Sequence, residues 1–381
     1  MEPAQASRRH SAIEDAKAKI GAIVREAMAK RDLKAVLAGV AFGDKPLLIE
    51  AWGESMTGVP ATPDMHFRNG SVAIAYIGTV LLQLHDKGVL SLDDKLSKWF
   101  PDYPKADQIT LKMLINGTSG YADYVAEDAI VPLLYADPFR AWQPDELIAL
   151  ALKKPMPCDP GTCWSYAHTN FVILGKVLEK ASGRPLQDLI RAGILEPLSL
   201  KDTRSEMTAI IQEPVLHAFD GERGRYEDST YWDPSWTLAE GAIMTSNIAD
   251  ILKSAAAIGE GTLVSPQSHA AQIAPETAKI QALECDRLLR LRRFRRRRLD
   301  HPEPVLRRLC RDHGVPSRKE ARDRRIGDLE GKGIDERQSL DRPRQGIRRV
   351  SRARGALRPI ADLGRGSTTR LHRPNNVSGV T

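Results

Sequence analysis

The chain has 381 residues, enough for one large domain or two, and a formal net charge of +7. That average hides a split: residues 1–280 hold 28 Lys+Arg against 36 Asp+Glu, a net of −8, whereas residues 281–381 hold 28 against 13, a net of +15. No run approaches the roughly 18 apolar residues that a membrane-spanning helix needs, and Met1 to Lys17 contains no apolar segment of secretory type, so either the chain as written is cytoplasmic or its true start lies upstream.

In chain order, Ser11 to Ala29 has helical periodicity (Ile13, Ala16, Ile20, Ile23, Val24, Met28), with Ser11 as a cap. Leu33 to Phe42 and Pro46 to Trp52 read as two strands of a hairpin turning at Gly43-Asp44-Lys45. Val72 to Lys87 is a long apolar helix. Ile109 to Asn116 is a short one, stopped by Gly117. Further helices are expected at Pro144 to Leu152, Asn170 to Ala181 (stopped by Gly183) and Leu186 to Leu195. Thr245-Ser246-Asn247 reads as a turn before a last helix, Ile248 to Ile258.

The character changes after Lys279. Residues 281–381 contain 26 Arg, 2 Lys and a single aromatic, Phe294, with no sustained period of 2 or 3.6. Such a stretch buries too little apolar surface to offset its chain entropy. Two parts are therefore expected: a folded domain over 1–279 and a disordered or out-of-frame Arg-rich tail over 280–381. Use of that tail to bind nucleic acid is the less favoured alternative.

The chemistry centres on Phe67-Arg68-Asn69-Gly70-Ser71-Val72-Ala73-Ile74. A small-residue turn opens the long apolar helix and sets Ser71 near its N-terminus. Free N–H groups and the helix dipole favour a developing oxyanion there, so Ser71 is a candidate nucleophile. Serine is also a favoured helix cap, and the stretch alone leaves both readings open.

Other motifs follow in order: Gly88-Val89-Leu90-Ser91-Leu92-Asp93-Asp94-Lys95, Ile109 to Gly120 with Asn116-Gly117-Thr118-Ser119-Gly120, Pro160-Gly161-Thr162-Cys163-Trp164-Ser165-Tyr166, Leu174 to Glu179, and Pro197-Leu198-Ser199-Leu200-Lys201-Asp202-Thr203. As a set, over about Ile13 to Ala278, they resemble the serine β-lactamase-related family of class C β-lactamases, D-alanyl-D-alanine carboxypeptidases and esterases. The resemblance implies an α+β fold, with a helical subdomain (here Gly88 to about Thr237) set against an antiparallel sheet. Its last strands would lie beyond Lys279 and are expected to be missing, which leaves the hairpin an unpaired edge. It implies acyl transfer through a serine ester on a small-molecule or peptide substrate, whether acyl-D-Ala-D-Ala-like, β-lactam or ester. It implies no cofactor and no metal.

Such an enzyme needs a lysine one helical turn after the serine, close enough to take its proton. Here that position is Ile74, and no S-x-x-K occurs in the chain. Tyr166 matches the family's catalytic tyrosine. The third position of its Tyr-x-Asn motif is His168, which could act as a base or hydrogen-bond substrate. Asn69, Trp164 and Asn170 are the expected binding residues. No Lys-x-Gly or His-x-Gly follows Tyr166; Lys19-Ile20-Gly21 lies in the first helix and is a chance match. The expectation is a hydrolase with impaired or no activity, or else a non-catalytic ligand binder.

Cys158 and Cys163 would form a short-loop disulfide in an exported protein and stay thiols in the cytosol. With His168 they recur every five residues, which invites a zinc reading, but no fourth ligand is evident. Asp93, Asp94 and Asp123 read as solvated turn residues.

Overall fold

The structure is a computed structural model that describes residues 3–43, 45–125, 130–221 and 223–273. The Arg-rich stretch and the strands expected after Lys279 lie outside the described residues, as does Asp44 of the hairpin turn.

The architecture is α+β. Helix α1 (Pro3–Arg31) leads into strands β1 (Ala35–Phe42), β2 (Lys45–Met56) and β3 (Val59–Pro60), an antiparallel sheet of order β1-β2-β3. The β1–β2 hairpin pairs Leu37 with Ala51 and Gly39 with Ile49, and a bulge at Val40/Ala41 offsets the register near the turn. Among the described residues β1 pairs only with β2. Helix α8 (Ile248–Gly259) lies across this hairpin, and Gly39 is what lets it approach: a Cβ there would stand 3.2 Å from Leu252.

A second sheet is built from three short strands distant in sequence. Strand β8 (Met244–Ser246) is its centre, with β4 (Phe67–Arg68) on one side and β5 (Arg204–Ser205) on the other. Thr245 and Ser246, expected as a turn, are therefore fully buried strand residues. A three-residue strand is too short to show a period of 2, so its loop-like composition dominated the reading. Asn247 does cap α8, its side chain accepting from the Asp250 N–H at 2.9 Å. A β6–β7 ribbon (Phe219–Asp220, Glu227–Asp228) completes the strands, so the segment expected as a helical subdomain also carries three short strands, β5, β6 and β7.

Helices α2 (Ile74–Asp86), α3 (Leu111–Ile115), α4 (Val131–Ala136), α5 (Pro144–Leu152), α6 (His168–Ser182) and α7 (Leu186–Ile190) form the helical layer, with α9 (Pro266–Gln272) near the end of the described chain. Leucine-rich faces of α2 and α6 make the core: Ile77, Val80 and Leu81 pack with Leu174, Val177 and Leu178, all at most 1% exposed. Each such side chain contributes about 1.5–3 kcal/mol by leaving water. Several expected boundaries move by a few residues, and two of them change helix type. The helix after Ser71 begins as a 3-10 turn (Gly70–Ala73), and the one from Leu186 gives way to a π-helical turn at Arg191–Leu195. Lys19-Ile20-Gly21 lies inside α1.

Candidate active site

Ser71 is brought to its place by β4 and by the 3-10 turn that follows. Pairing of Phe67 with Ser246 and Arg68 with Thr245 fixes the strand, and the Asn69 N–H donates to the Met244 carbonyl at 2.9 Å. Gly70 then turns the chain with φ +52°, a conformation that favours glycine, and its Cβ position faces open space, so backbone strain alone requires it. Ser71 sits second in the 3-10 turn and is exposed. It caps nothing: the cap residues are Asn69 for the turn and Ala73 for α2. The cap reading of Ser71 is thereby corrected. Its side chain instead meets the Tyr166 hydroxyl, Oγ to OH 2.7 Å, across 95 residues of sequence.

Tyr166 stands on the loop that enters α6. The Cys158–Cys163 disulfide closes the segment just before it. Gly117, with φ +70°, lets the Trp164 ring lie against the α3 end; a Cβ there would come 3.1 Å from Trp164 Nε1. The Ser165 N–H donates to the Gly117 carbonyl at 2.9 Å. The Tyr166 ring packs against Phe171 at 5.6 Å and meets His168 edge to face at 5.0 Å.

His168 opens α6, and here the sequence reading needs its second correction. Asp123 is no solvated turn residue. Its side chain is 14% exposed, and its Oδ1 accepts from the backbone N–H groups of His168 and Val125, each at 3.1 Å. Both carboxylate oxygens lie 3.2 Å from His168 Nδ1. A lone aspartate in a loop gives no sequence signal of such a role; its pairing across 45 residues appears only in the fold. The same junction is held by Thr169 Oγ1, which donates to the Ala122 carbonyl at 2.7 Å, and by Ser119 Oγ, which donates to Asn170 Oδ1 at 2.5 Å. Asn170 is thus buried and used as a strut rather than presented to a ligand. Asn69 is also buried, and neither end of its side-chain amide has a protein partner.

Cys158 and Cys163 are joined to each other and His168 is engaged by Asp123. Among the described residues no cluster of three His, Cys, Asp or Glu side chains could hold a metal ion. No helix of the described residues is long and apolar enough to cross a membrane.

Ile74, one turn after Ser71, is half-buried and packs on the apolar core. It offers no proton acceptor. Tyr124, beside His168 at 5.8 Å, is held well above the ordinary phenol range by burial, so its hydroxyl stays a donor to the Trp236 carbonyl. The arrangement therefore supplies a hydroxyl paired with a phenol, and an imidazole fixed by a carboxylate, at the mouth of two helices.

The chain is similar to known proteins over much of its folded part. The chain is 30% identical over 183 residues to penicillin-binding protein 4 of Amycolatopsis lactamdurans, covering 46% of each chain. It is 27% identical over 273 residues to esterase EstB of Burkholderia gladioli, covering 63% of this chain and 69% of the esterase. Among solved structures, a D-stereospecific amidohydrolase from Streptomyces sp. superposes with a TM-score of 0.59 at 28% identity, over 66% of this chain and 77% of that one. The chain spans about half or less of the length of the penicillin-binding proteins it matches. The fold is of the β-lactamase/transpeptidase type, and the Beta-lactamase family model matches residues 20–282, about two thirds of the sequence, so the chain belongs to the Beta-lactamase family.

Proposed function

We propose that the chain is a serine hydrolase of weak activity that transfers acyl groups through an ester on Ser71. The observation that carries the reading is the 2.7 Å contact between Ser71 Oγ and the Tyr166 hydroxyl. The two hydroxyls meet across 95 residues of sequence, Ser71 exposed on a glycine turn and Tyr166 half-buried on the loop that follows the disulfide. Tyr166, as a phenolate, takes the Ser71 proton as Oγ attacks a carbonyl carbon, and passes it to the leaving group as that group departs. The tetrahedral intermediate collapses as the leaving group departs, and the acyl-serine is then released to water.

Relatives named as penicillin-binding proteins, an esterase and amidases support an acyl donor that is an activated ester, a D-amino-acid amide or a β-lactam. The weakness follows from Ile74. Proton transfer by a positioned base is worth about 10²–10⁴ in rate, and an isoleucine provides none of it. The site also lies open to solvent among the described residues, since Ser71 is exposed, and exposure weakens the electrostatic help a closed site gives.

Ile74 favours a second reading, a non-catalytic member that holds a peptide or acyl ligand without reacting. A fluorescent penicillin and an activated ester separate the two. The first reading requires a covalent adduct that disappears in Ser71→Ala. Ligand binding that is reversible and leaves the protein mass unchanged supports the second.

A further inference from the structure

We propose that the Cys158–Cys163 disulfide is a redox switch for this site: its reduction to two thiols releases the loop that carries Tyr166 and parts the Tyr166 hydroxyl from Ser71. The switch rests on the Ser71 reading above and adds its regulation.

Cys158 is seated on the segment after α3. Gly120, at φ +82°, lies so close that a Cβ there would stand 2.3 Å from the Cys158 carbonyl oxygen. That segment is itself tied to the first turn of α6, by Ser119 to Asn170 and by the Ala122 carbonyl to Thr169. Within the bridged loop the Gly161 N–H donates to the Thr118 carbonyl at 2.8 Å, Thr162 Oγ1 donates to the Asp159 carbonyl at 2.7 Å, and Lys105 pairs with Asp159. Beyond Cys163, Trp164 lies against Gly117 and the Ser165 N–H donates to the Gly117 carbonyl at 2.9 Å. Tyr166 comes next. The bridge is the covalent member of a short set of ties that aim it.

Two thiols cannot stand at bonding distance, so reduction forces the sulfurs apart. Cys158 cannot retreat toward Gly120, against which its carbonyl is packed. The displacement therefore falls on the backbone from Cys163 to Tyr166. A shift of about 1 Å breaks a hydroxyl contact of 2.7 Å and can slow a positioned reaction about 10²-fold.

A dithiol has access from one side, because Cys158 is partly exposed whereas Cys163 is buried. A thiolate of the dithiol bonds to Cys158 Sγ, the S–S bond breaks, and Cys163 leaves with the electron pair and takes a proton. The second thiol of the reductant then bonds to the first, and Cys158 leaves as a thiolate that takes a proton. Two electrons and two protons pass to the protein, and the dithiol becomes a cyclic disulfide. The bond that the two cysteines make in an oxidising compartment and lose in a reducing one thereby turns the site on and off.

The test uses the full chain in three states: oxidised, reduced with dithiothreitol and freed of it, and reduced then re-oxidised. Alkylation with iodoacetamide and peptide mapping report Cys158 and Cys163 separately from Cys285 and Cys310. A pulse of p-nitrophenyl acetate is then read as acetyl on the Ser71 peptide. Reduction should lower that rate about 10-fold or more, and re-oxidation should restore it. Cys158→Ser/Cys163→Ser should be slow with or without reductant. Hydrogen exchange gives a readout independent of acylation: reduction should speed exchange over residues 159–167 and leave α2 and α6 unchanged. Equal Ser71 acetylation in the oxidised and reduced chains overturns the switch and leaves the Ser71 reading standing. So does a bridge that dithiothreitol leaves intact, exchange over 159–167 that does not move, or faster exchange throughout α2 and α6, which would make the bridge a staple of the whole fold. Absence of Ser71 acetylation in every state, with exchange over 159–167 still raised by reduction, overturns the Ser71 reading and leaves the loop under redox control.

Discussion

Replacing Ile74 by lysine is expected to raise the rate of acylation at Ser71 by about 10²–10⁴, the usual worth of a positioned general base. At about 1.4 kcal/mol per decade, this lowers the barrier by roughly 3–5 kcal/mol. Ile74 is the first residue of α2 and lies one turn beyond Ser71, so a lysine stem can cover the same apolar surface while its amine reaches the hydroxyl. The stability cost is smaller than the gain. A half-buried isoleucine contributes about 1 kcal/mol, half of full burial. A cation at a helix N-terminus costs about 0.3–1 kcal/mol. A total near 1–2 kcal/mol is tolerable against the roughly 5–15 kcal/mol of an ordinary domain. The assay is acyl-enzyme formation from an activated ester, with Ser71→Ala/Ile74→Lys as the blank. An Ile74→Lys chain that stays folded and gains nothing would refute the reasoning and return Ser71 to an ordinary surface serine.

Three other outcomes are expected. Gly70→Ala should destabilise the chain by about 1–2 kcal/mol through its φ of +52° and lower Ser71 labelling, read by urea unfolding and adduct yield. Cys158→Ser/Cys163→Ser should cost about 2 kcal/mol, as for a short loop, with a loss of labelling because Tyr166 follows that loop; equal stability and yield would show the bridge to be idle. Burial holds the hydroxyls of Tyr76, Tyr121 and Tyr124 above the unfolded phenol value of 10.0, so their stabilisation is complete below pH 10 and is lost as pH rises through the folded values. The urea midpoint should fall above pH 10, and less steeply in Tyr124→Phe.

Elements with strong local signals were legible in the sequence. Pro144–Leu152 was bounded correctly because proline starts it and apolar residues recur at helical spacing. Gly183, with φ +69°, ends α6 as glycine should. The short strands were not legible: Phe67–Arg68 and Met244–Ser246 hold only two or three residues, and their existence depends on partners nearly 180 residues away. The site divides in the same way. Ser71 and Tyr166 sit in recognisable turn and loop motifs, and their contact needed only the fold to bring them together. Asp123 and the burial of Asn170 were invisible, because an aspartate or asparagine beside a turn has the same local signature whether it is solvated or enclosed.

Peptide mapping of the full chain after brief exposure to p-nitrophenyl acetate tests the central claim most directly. One acetyl group is expected on the peptide that contains Ser71, absent in Ser71→Ala and reduced by about 10²-fold or more in Tyr166→Phe. A folded chain that carries acetyl groups only on scattered surface lysines, with none on Ser71, would contradict it.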